Sequence, residues 1–160
     1  MPVHLFGADE QTLARLVTSE EAIRAVVTRV VGGSGERLVV LVSLVDGVRW
    51  AAECHHGWFT PADVHRGQVS GLPPHFHLIE LAFGVAGGPY PWQTRDDYGW
   101  VWRFGSFVDH LAAVMSHELY HYTQPHFARW RWNNEGDANA WALAHCRRLG
   151  FAVEAEIPAA

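Results

Sequence analysis

The chain has 160 residues, of which 49% are hydrophobic and 18% are charged, and its formal net charge at pH 7 is −5. This length and composition predict a single globular domain over residues 1–160 and exclude a disordered chain. The negative charge argues against a general nucleic-acid binder, so we expect no nucleic-acid partner.

Two further features of the sequence concern the compartment. No apolar run approaches the roughly 18 residues of a membrane span, and the N-terminus lacks the pattern of a secretory signal. The two cysteines, Cys54 and Cys146, favour buried thiols in a reducing compartment over a disulfide. We therefore expect a cytoplasmic protein with no membrane partner.

The first half of the chain is predicted to contain a helix and a hairpin. Residues 18–33 carry apolar side chains at helical spacing, and Thr18 and Glu21 have the spacing of a capping box. Residues 37–54 form two apolar arms around Asp46–Gly47, a pair that is typical of the tight turn of a β-hairpin.

The middle of the chain is predicted to contain two more strands with a long loop between them. Residues 75–84 form the third predicted strand, and residues 100–104 form a short fourth one. The connecting residues 84–99 are rich in Gly and Pro, and loops of that length inside a compact domain are usually functional or mobile.

The second half contains the strongest helix prediction, over residues 106–124. Ser106 suits its N-cap, and Pro125 ends it because the residue before a proline avoids the helical region. A last helix is predicted from about Asn134 to Leu149. Strands first and helices last predict an α+β fold, with a small, mostly antiparallel sheet packed on helices.

The strongest helix carries the pattern His117-Glu118-Leu119-Tyr120-His121. A chain of this composition contains such a pattern by chance about 0.05 times, so the helical context is what gives it weight. His117 and His121 lie one turn apart on one face, where their imidazoles can share one zinc ion. Glu118 points about 100° away, which suits a general base acting on a zinc-activated water.

The third zinc ligand is open at this point. In the metzincin arrangement a third histidine falls at position 127 and a glycine at 124, but these residues are Phe127 and Gln124. The remaining candidates are His126 and the first-turn acids of the last helix, Glu135 and Asp137. Both acids also suit a helix N-terminus, where the helix dipole favours negative charge.

Glu135, Ala138 and Asn139 follow the histidine motif as a Glu-x-x-Ala-Asn element. Together the two elements, over roughly residues 106–145, resemble the gluzincins, and most closely the minigluzincins, the HtpX-like proteases and the ImmA/IrrE-type metallopeptidases. The resemblance implies a zincin-like fold with the motif helix followed by a Glu-bearing helix. It implies a zinc metallopeptidase in which Glu135 is the third zinc ligand and Asn139 supports the site from behind the ligands.

The resemblance also implies how a peptide or protein substrate binds. In the relatives a peptide adds to an exposed sheet edge beside the motif helix, and residues 75–84 are expected to form that edge. Such a site also needs a donor to the developing oxyanion. The candidates for this role are His126, His145, Tyr90 and Tyr98.

Alternatives remain beside this interpretation. A non-proteolytic zinc-binding module, acting as a sensor or an interaction domain, has the same motif. His75 and His77 would share a strand face, so a second metal there is conceivable. Arg129–Trp132 interleaves cations and aromatic rings in a way that suits single-stranded nucleic acid, although a packed connection between helices is favoured. The sequence does not give the oligomeric state.

Overall fold

The computed structural model describes residues 1–55, 57–64, 69–124 and 134–159. Over these residues the fold is α+β, with two small sheets and four α-helices, so the predicted class is confirmed. The elements in chain order are β1 Val3–Phe6, α1 Glu10–Arg15, α2 Glu20–Val31, β2 Leu38–Val45, β3 Trp50–Cys54, β4 His77–Gly84, β5 Trp92–Arg95, β6 Val101–Phe104, α3 Phe107–Thr123, α4 Glu135–Arg148 and β7 Val153–Glu156.

The larger sheet has the strand order β1-β2-β4-β3. Strands β1, β2 and β4 run parallel, and β3 pairs antiparallel with β4. Two of the three pairings are therefore parallel, and the prediction of a mostly antiparallel sheet is wrong here. Side chains on both faces of β2 are buried, which suits an interior strand of a parallel sheet.

The predicted hairpin over residues 37–54 is wrong, because β4 lies between its two arms. The turn at Asp46–Gly47 instead leads β3 to the far side of β4. The prediction that residues 75–84 form the sheet edge is wrong for the same reason. The two edge strands are β1 and β3, and the side chains of β3 are half-buried or exposed.

The smaller sheet has the order β5-β6-β7 and is antiparallel. It confirms the predicted strand near residues 100–104, and it places β5 inside the segment that was predicted to be a loop. Phe104 of β6 pairs with Val153 of β7, and the helices α3 and α4 both lie in the connection between these two strands. At the neck of this connection Gly105 N donates to Ala152 O at 3.0 Å, and Asp109 Oδ1 accepts from Ala152 N at 2.8 Å.

Helices α2 and α3 belong to the main hydrophobic core, which includes one face of the larger sheet. The prediction of α3 is confirmed, including its N-cap, since Ser106 accepts a hydrogen bond from Asp109 N at 3.3 Å. Helix α2 begins after Ser19 rather than Thr18. Pro125, which was predicted to end α3, lies outside the described residues. Among the helices that the structure describes, none has the length and apolar character needed to cross a membrane.

His110, on α3, is 2% exposed and lies among aromatic rings rather than beside the motif histidines. Its imidazole contacts the rings of Trp50, Phe83, Tyr90, Trp92 and Phe104. The Tyr90 hydroxyl lies 2.9 Å from its Nδ1. Burial lowers the pKa of His110 to about 3, because an imidazolium ion in this apolar shell would lose its hydration.

This burial predicts a loss of stability in acid. Between the unfolded pKa of about 6.5 and the folded pKa of about 3, the unfolded chain binds one more proton at this residue than the folded chain does. The free energy of unfolding should therefore fall by about 1.4 kcal/mol per pH unit on this account as the pH drops through that window. Urea unfolding at a series of pH values measures the slope.

The control for this prediction is the double variant His110→Phe/Tyr90→Phe, which keeps an aromatic ring at both positions and leaves no hydroxyl without its partner. In this variant the free energy of unfolding should fall less steeply with pH, by about 1.4 kcal/mol per pH unit, because one titrating group has been removed. An unchanged slope would contradict the assignment to His110.

Candidate metal centre

His117 and His121 of α3 meet Glu135, the first residue of α4. His117 Nε2 lies 2.7 Å from Glu135 Oε2 and 3.1 Å from His121 Nε2, and His121 Nε2 lies 3.4 Å from Glu135 Oε2. Within the described part of the chain, this is the one group of three such side chains whose ligand atoms all lie within 4.8 Å of one another. Two consecutive helices, α3 and α4, position it.

The spacing of these atoms fits one tetrahedral ion. Ligand atoms at about 2.0–2.1 Å from a tetrahedral zinc ion lie roughly 3.3 Å from one another. The observed separations of 3.4 and 3.1 Å are close to that value, and the third, 2.7 Å, is shorter and has the length of a hydrogen bond. All three side chains are partly exposed, which leaves one side of the cluster open to a further ligand.

The hydrogen bonds of Asn139 define the tautomer of His117. Asn139 Nδ2 donates to Asp96 Oδ2 at 2.8 Å, and a carboxylate can only accept, so this contact fixes the orientation of the amide. Asn139 Oδ1 therefore faces His117 Nδ1 at 2.8 Å, and Nδ1 must carry the proton. The lone pair of the neutral ring is then on Nε2, the nitrogen inside the cluster.

The chemistry of this group suits a cation. When the His117 ring is neutral, its Nε2 lone pair faces the Glu135 carboxylate at 2.7 Å, and two electron-rich atoms at that distance repel each other. A metal ion bound to both atoms turns this repulsion into coordination. In the imidazolium form, Nε2 carries a proton and donates it to the carboxylate as an ion pair. Two imidazole nitrogens and one carboxylate oxygen form a ligand set of catalytic zinc, with the fourth position left open.

Glu118 lies beside the cluster and is 7% exposed. Its carboxylate accepts a hydrogen bond from the backbone N–H of Cys54, at the end of β3. Burial raises the pKa of Glu118 to about 7, against the opposing effects of His117 and the Cys54 N–H. The side chain can therefore exchange a proton near neutral pH.

His117, Glu118, His121 and Glu135 line a cleft of about 1330 Å³, between β3 and residues 92–98. The bonds from His55 N to Leu78 O at 2.9 Å and from Gly84 N to Arg49 O at 2.7 Å set which groups of β3 face β4. Since antiparallel pairs alternate, the backbone groups of residues 50, 52 and 54 point away from β4, along the open edge.

The candidate oxyanion donors lie in different places. Tyr90 contacts His110 in the core, and His145 Nε2 lies 2.9 Å from Val30 O on α2. Tyr98 is 53% exposed and lines the cleft. Partial burial raises its pKa, with a contribution from the nearby Glu135 carboxylate. His126 lies outside the described residues.

Sequence reasoning missed Asp96, which follows β5. Its Oδ1 accepts from the N–H groups of Tyr98 and Trp100, both at 2.9 Å. Its Oδ2 accepts from Trp102 Nε1 at 2.9 Å and from Asn139 Nδ2 at 2.8 Å. An Asp ahead of a glycine-containing turn does signal a local turn, but nothing local points to a partner 43 residues away.

The remaining candidates lie outside the cluster. Asp137 is engaged with the α4 N-cap, where Asn134 Oδ1 accepts from its backbone N at 3.2 Å and Asn134 Nδ2 donates to its carboxylate. His75 precedes β4 and shares no strand face with His77, so the basis for a second metal there is wrong. Arg129–Trp132 lies outside the described residues.

Comparisons with protein-family models, with curated proteins and with solved structures found no match.

Proposed function

We propose that this protein is a zinc-dependent metallopeptidase of the gluzincin type. The observation that carries the proposal is the meeting of His117, His121 and Glu135 from two helices, with His117 Nδ1 engaged by Asn139 and its Nε2 turned into the cluster. Bound zinc would supply a Lewis acid that polarises a carbonyl and lowers the pKa of water. The sequence pattern and the donor set support the same metal.

Glu118 is the general base in this proposal. The Cys54 N–H holds its carboxylate at the end of β3, beside the zinc ligands and on the wall of the cleft. From that position Glu118 takes the proton of the attacking water and then delivers it to the leaving amine. Its hydrogen bond to Cys54 keeps the carboxylate from rotating away between the two transfers.

The open edge of β3 is the proposed substrate-binding element. An extended peptide can pair with the outward backbone groups of residues 50 and 52, and main-chain bonds of this kind give affinity with little sequence selectivity. The small side chains of Ala51 and Ala52 leave room along this edge. Tyr98, which lines the opposite wall, is the proposed donor to the oxyanion of the tetrahedral intermediate.

Metal analysis tests the proposal. Wild-type protein should carry about one zinc per chain, since one ligand set is present. His117→Ala and His121→Ala should lose it, whereas His75→Ala, which removes an exposed histidine outside the cluster, should keep it. Wild-type protein should also cleave reduced, unfolded casein, should stop when a chelator is added and should resume with zinc.

A wild-type protein that binds no zinc would overturn the proposal. Zinc binding without any cleavage would favour the alternative, a non-proteolytic zinc-binding module that acts as a sensor or an interaction domain.

A further inference from the structure

We propose that Asp96 is a positioning residue for the metal centre: through Asn139, it holds His117 in the tautomer that can bind a metal through Nε2. This inference rests on the proposed zinc site. Asp96 follows β5 and lines the cleft on the side of the smaller sheet. The proposed role is indirect, since Asp96 acts through Asn139 and not on the ligand atoms or a substrate.

The hydrogen bonds of Asp96 are complete. Each of its two oxygens accepts two N–H groups, from the donors on Tyr98, Trp100, Trp102 and Asn139. Charge-assisted bonds of this kind are stronger than neutral ones and hold a carboxylate in one orientation. Asp96 is therefore a rigid acceptor at the point where it meets Asn139.

The identity of residue 139 explains why such an acceptor is needed. A carboxylate at this position would present an oxygen to His117 in either orientation, but the amide of Asn139 does so in only one of two. In the other orientation its NH₂ group would face Nδ1 and favour the tautomer with the proton on Nε2, which cannot bind a metal there. Asp96 selects the productive orientation, because only the NH₂ group can donate to it.

The same carboxylate also holds the wall of the cleft. Two of its four hydrogen bonds come from the backbone N–H groups of Tyr98 and Trp100. The Asp96 carboxylate therefore holds the segment that carries Tyr98 and, through Asn139, also holds His117. The positions of a zinc ligand and of the proposed oxyanion donor are thus coupled through Asp96. Groups that position a ligating histidine are worth about 10–100-fold in metal affinity.

The test is the zinc affinity of three variants, measured by competition with a chelator. Asp96→Asn should weaken zinc binding by about 10-fold, at the low end of that range because the residue acts through Asn139. Asp97→Asn removes the same charge from the adjacent exposed residue of the cleft wall, and it should stay within about 2-fold of wild type.

The exchange variant Asp96→Asn/Asn139→Asp separates positioning from a general loss of structure. It restores a donor and an acceptor between the two positions and an acceptor toward His117, so zinc affinity should return to within about 3-fold of wild type. Trp102 Nε1, which donates to Asp96 Oδ2, does not regain its carboxylate partner, so the melting temperature should stay below that of wild type. Affinity that falls further in the exchange variant would overturn the proposal.

A second measurement does not require zinc. Nitrogen-15 NMR of the metal-free protein should show His117 with its proton on Nδ1 in wild type and a shift toward the Nε2 tautomer in Asp96→Asn. An unchanged tautomer together with unchanged affinity would overturn the role of Asp96 while leaving the metallopeptidase proposal intact. A wild-type protein without zinc affinity would overturn the metallopeptidase proposal. The tautomer of His117, measured in the metal-free protein, would still show whether Asp96 has the proposed role.

Discussion

Glu118→Gln is expected to lower kcat/KM for a peptide substrate by about 10³-fold, while the zinc content stays near one per chain. Glutamine has the size of glutamate, and its Oε1 can still accept the Cys54 N–H, but it cannot take a proton from water. Because Glu118 lies beside the ligand cluster and not in it, the metal should remain. Cleavage of a fluorogenic peptide and metal analysis of the same sample give the two values.

Glu21→Gln is the matched control for this prediction. Glu21 is an exposed acid in the first turn of α2 and does not line the cleft, so kcat/KM should change by less than about 2-fold. A Glu118→Gln protein that keeps a tenth or more of its activity would rule out Glu118 as the base. Loss of zinc in that variant would instead assign Glu118 a part in holding the metal.

Glu135→Gln is expected to weaken zinc binding by more than about 100-fold, since loss of a ligand should exceed the loss caused by a residue that only positions one. The neutral amide oxygen is a much poorer zinc ligand than the carboxylate that lies 2.7 Å from His117 Nε2. Chelator competition measures the affinity. His117 and His121 remain in place, so residual weak binding is expected.

Asp137→Asn provides the control for Glu135, because both acids lie in the first turn of α4 and both changes remove one negative charge. Asp137 contacts the cap residue Asn134, so its replacement should lower stability by about 0.3–1 kcal/mol and leave zinc affinity unchanged. If the two variants behave alike, Glu135 serves the helix dipole and is not a ligand.

The α3 helix and its histidine pair were predictable because their signals are local. Apolar spacing, the Ser106 cap and the His117–His121 separation all lie within one continuous segment and follow from the period of the helix. The placement of Glu135 beside the pair came from resemblance to a family, since no local signal shows that α4 returns its first residue to α3. The distances agree with that placement.

Strand pairing was less predictable, for a physical reason. The turn at Asp46–Gly47 is a local signal, but whether the strands on its two sides pair depends on a competitor that comes later in the chain. Here β4 offers β2 a parallel partner with a nearly continuous apolar face, and it displaces β3 to the edge. The role of Asp96 was not predictable for a similar reason. The local sequence around it indicates a turn but does not indicate a hydrogen bond with Asn139, 43 residues later.

The neck between β6 and β7 has a consequence for the proposed metal centre. The bonds at Gly105, Asp109 and Ala152 close the segment that carries α3 and α4, and they involve none of the proposed zinc ligands. The entropy of bringing the two helices together is therefore offset by strand pairing, without the help of a bound ion. We expect the metal-free protein to keep the helix pair assembled, so that the centre empties and refills reversibly and samples whichever divalent ions its surroundings supply.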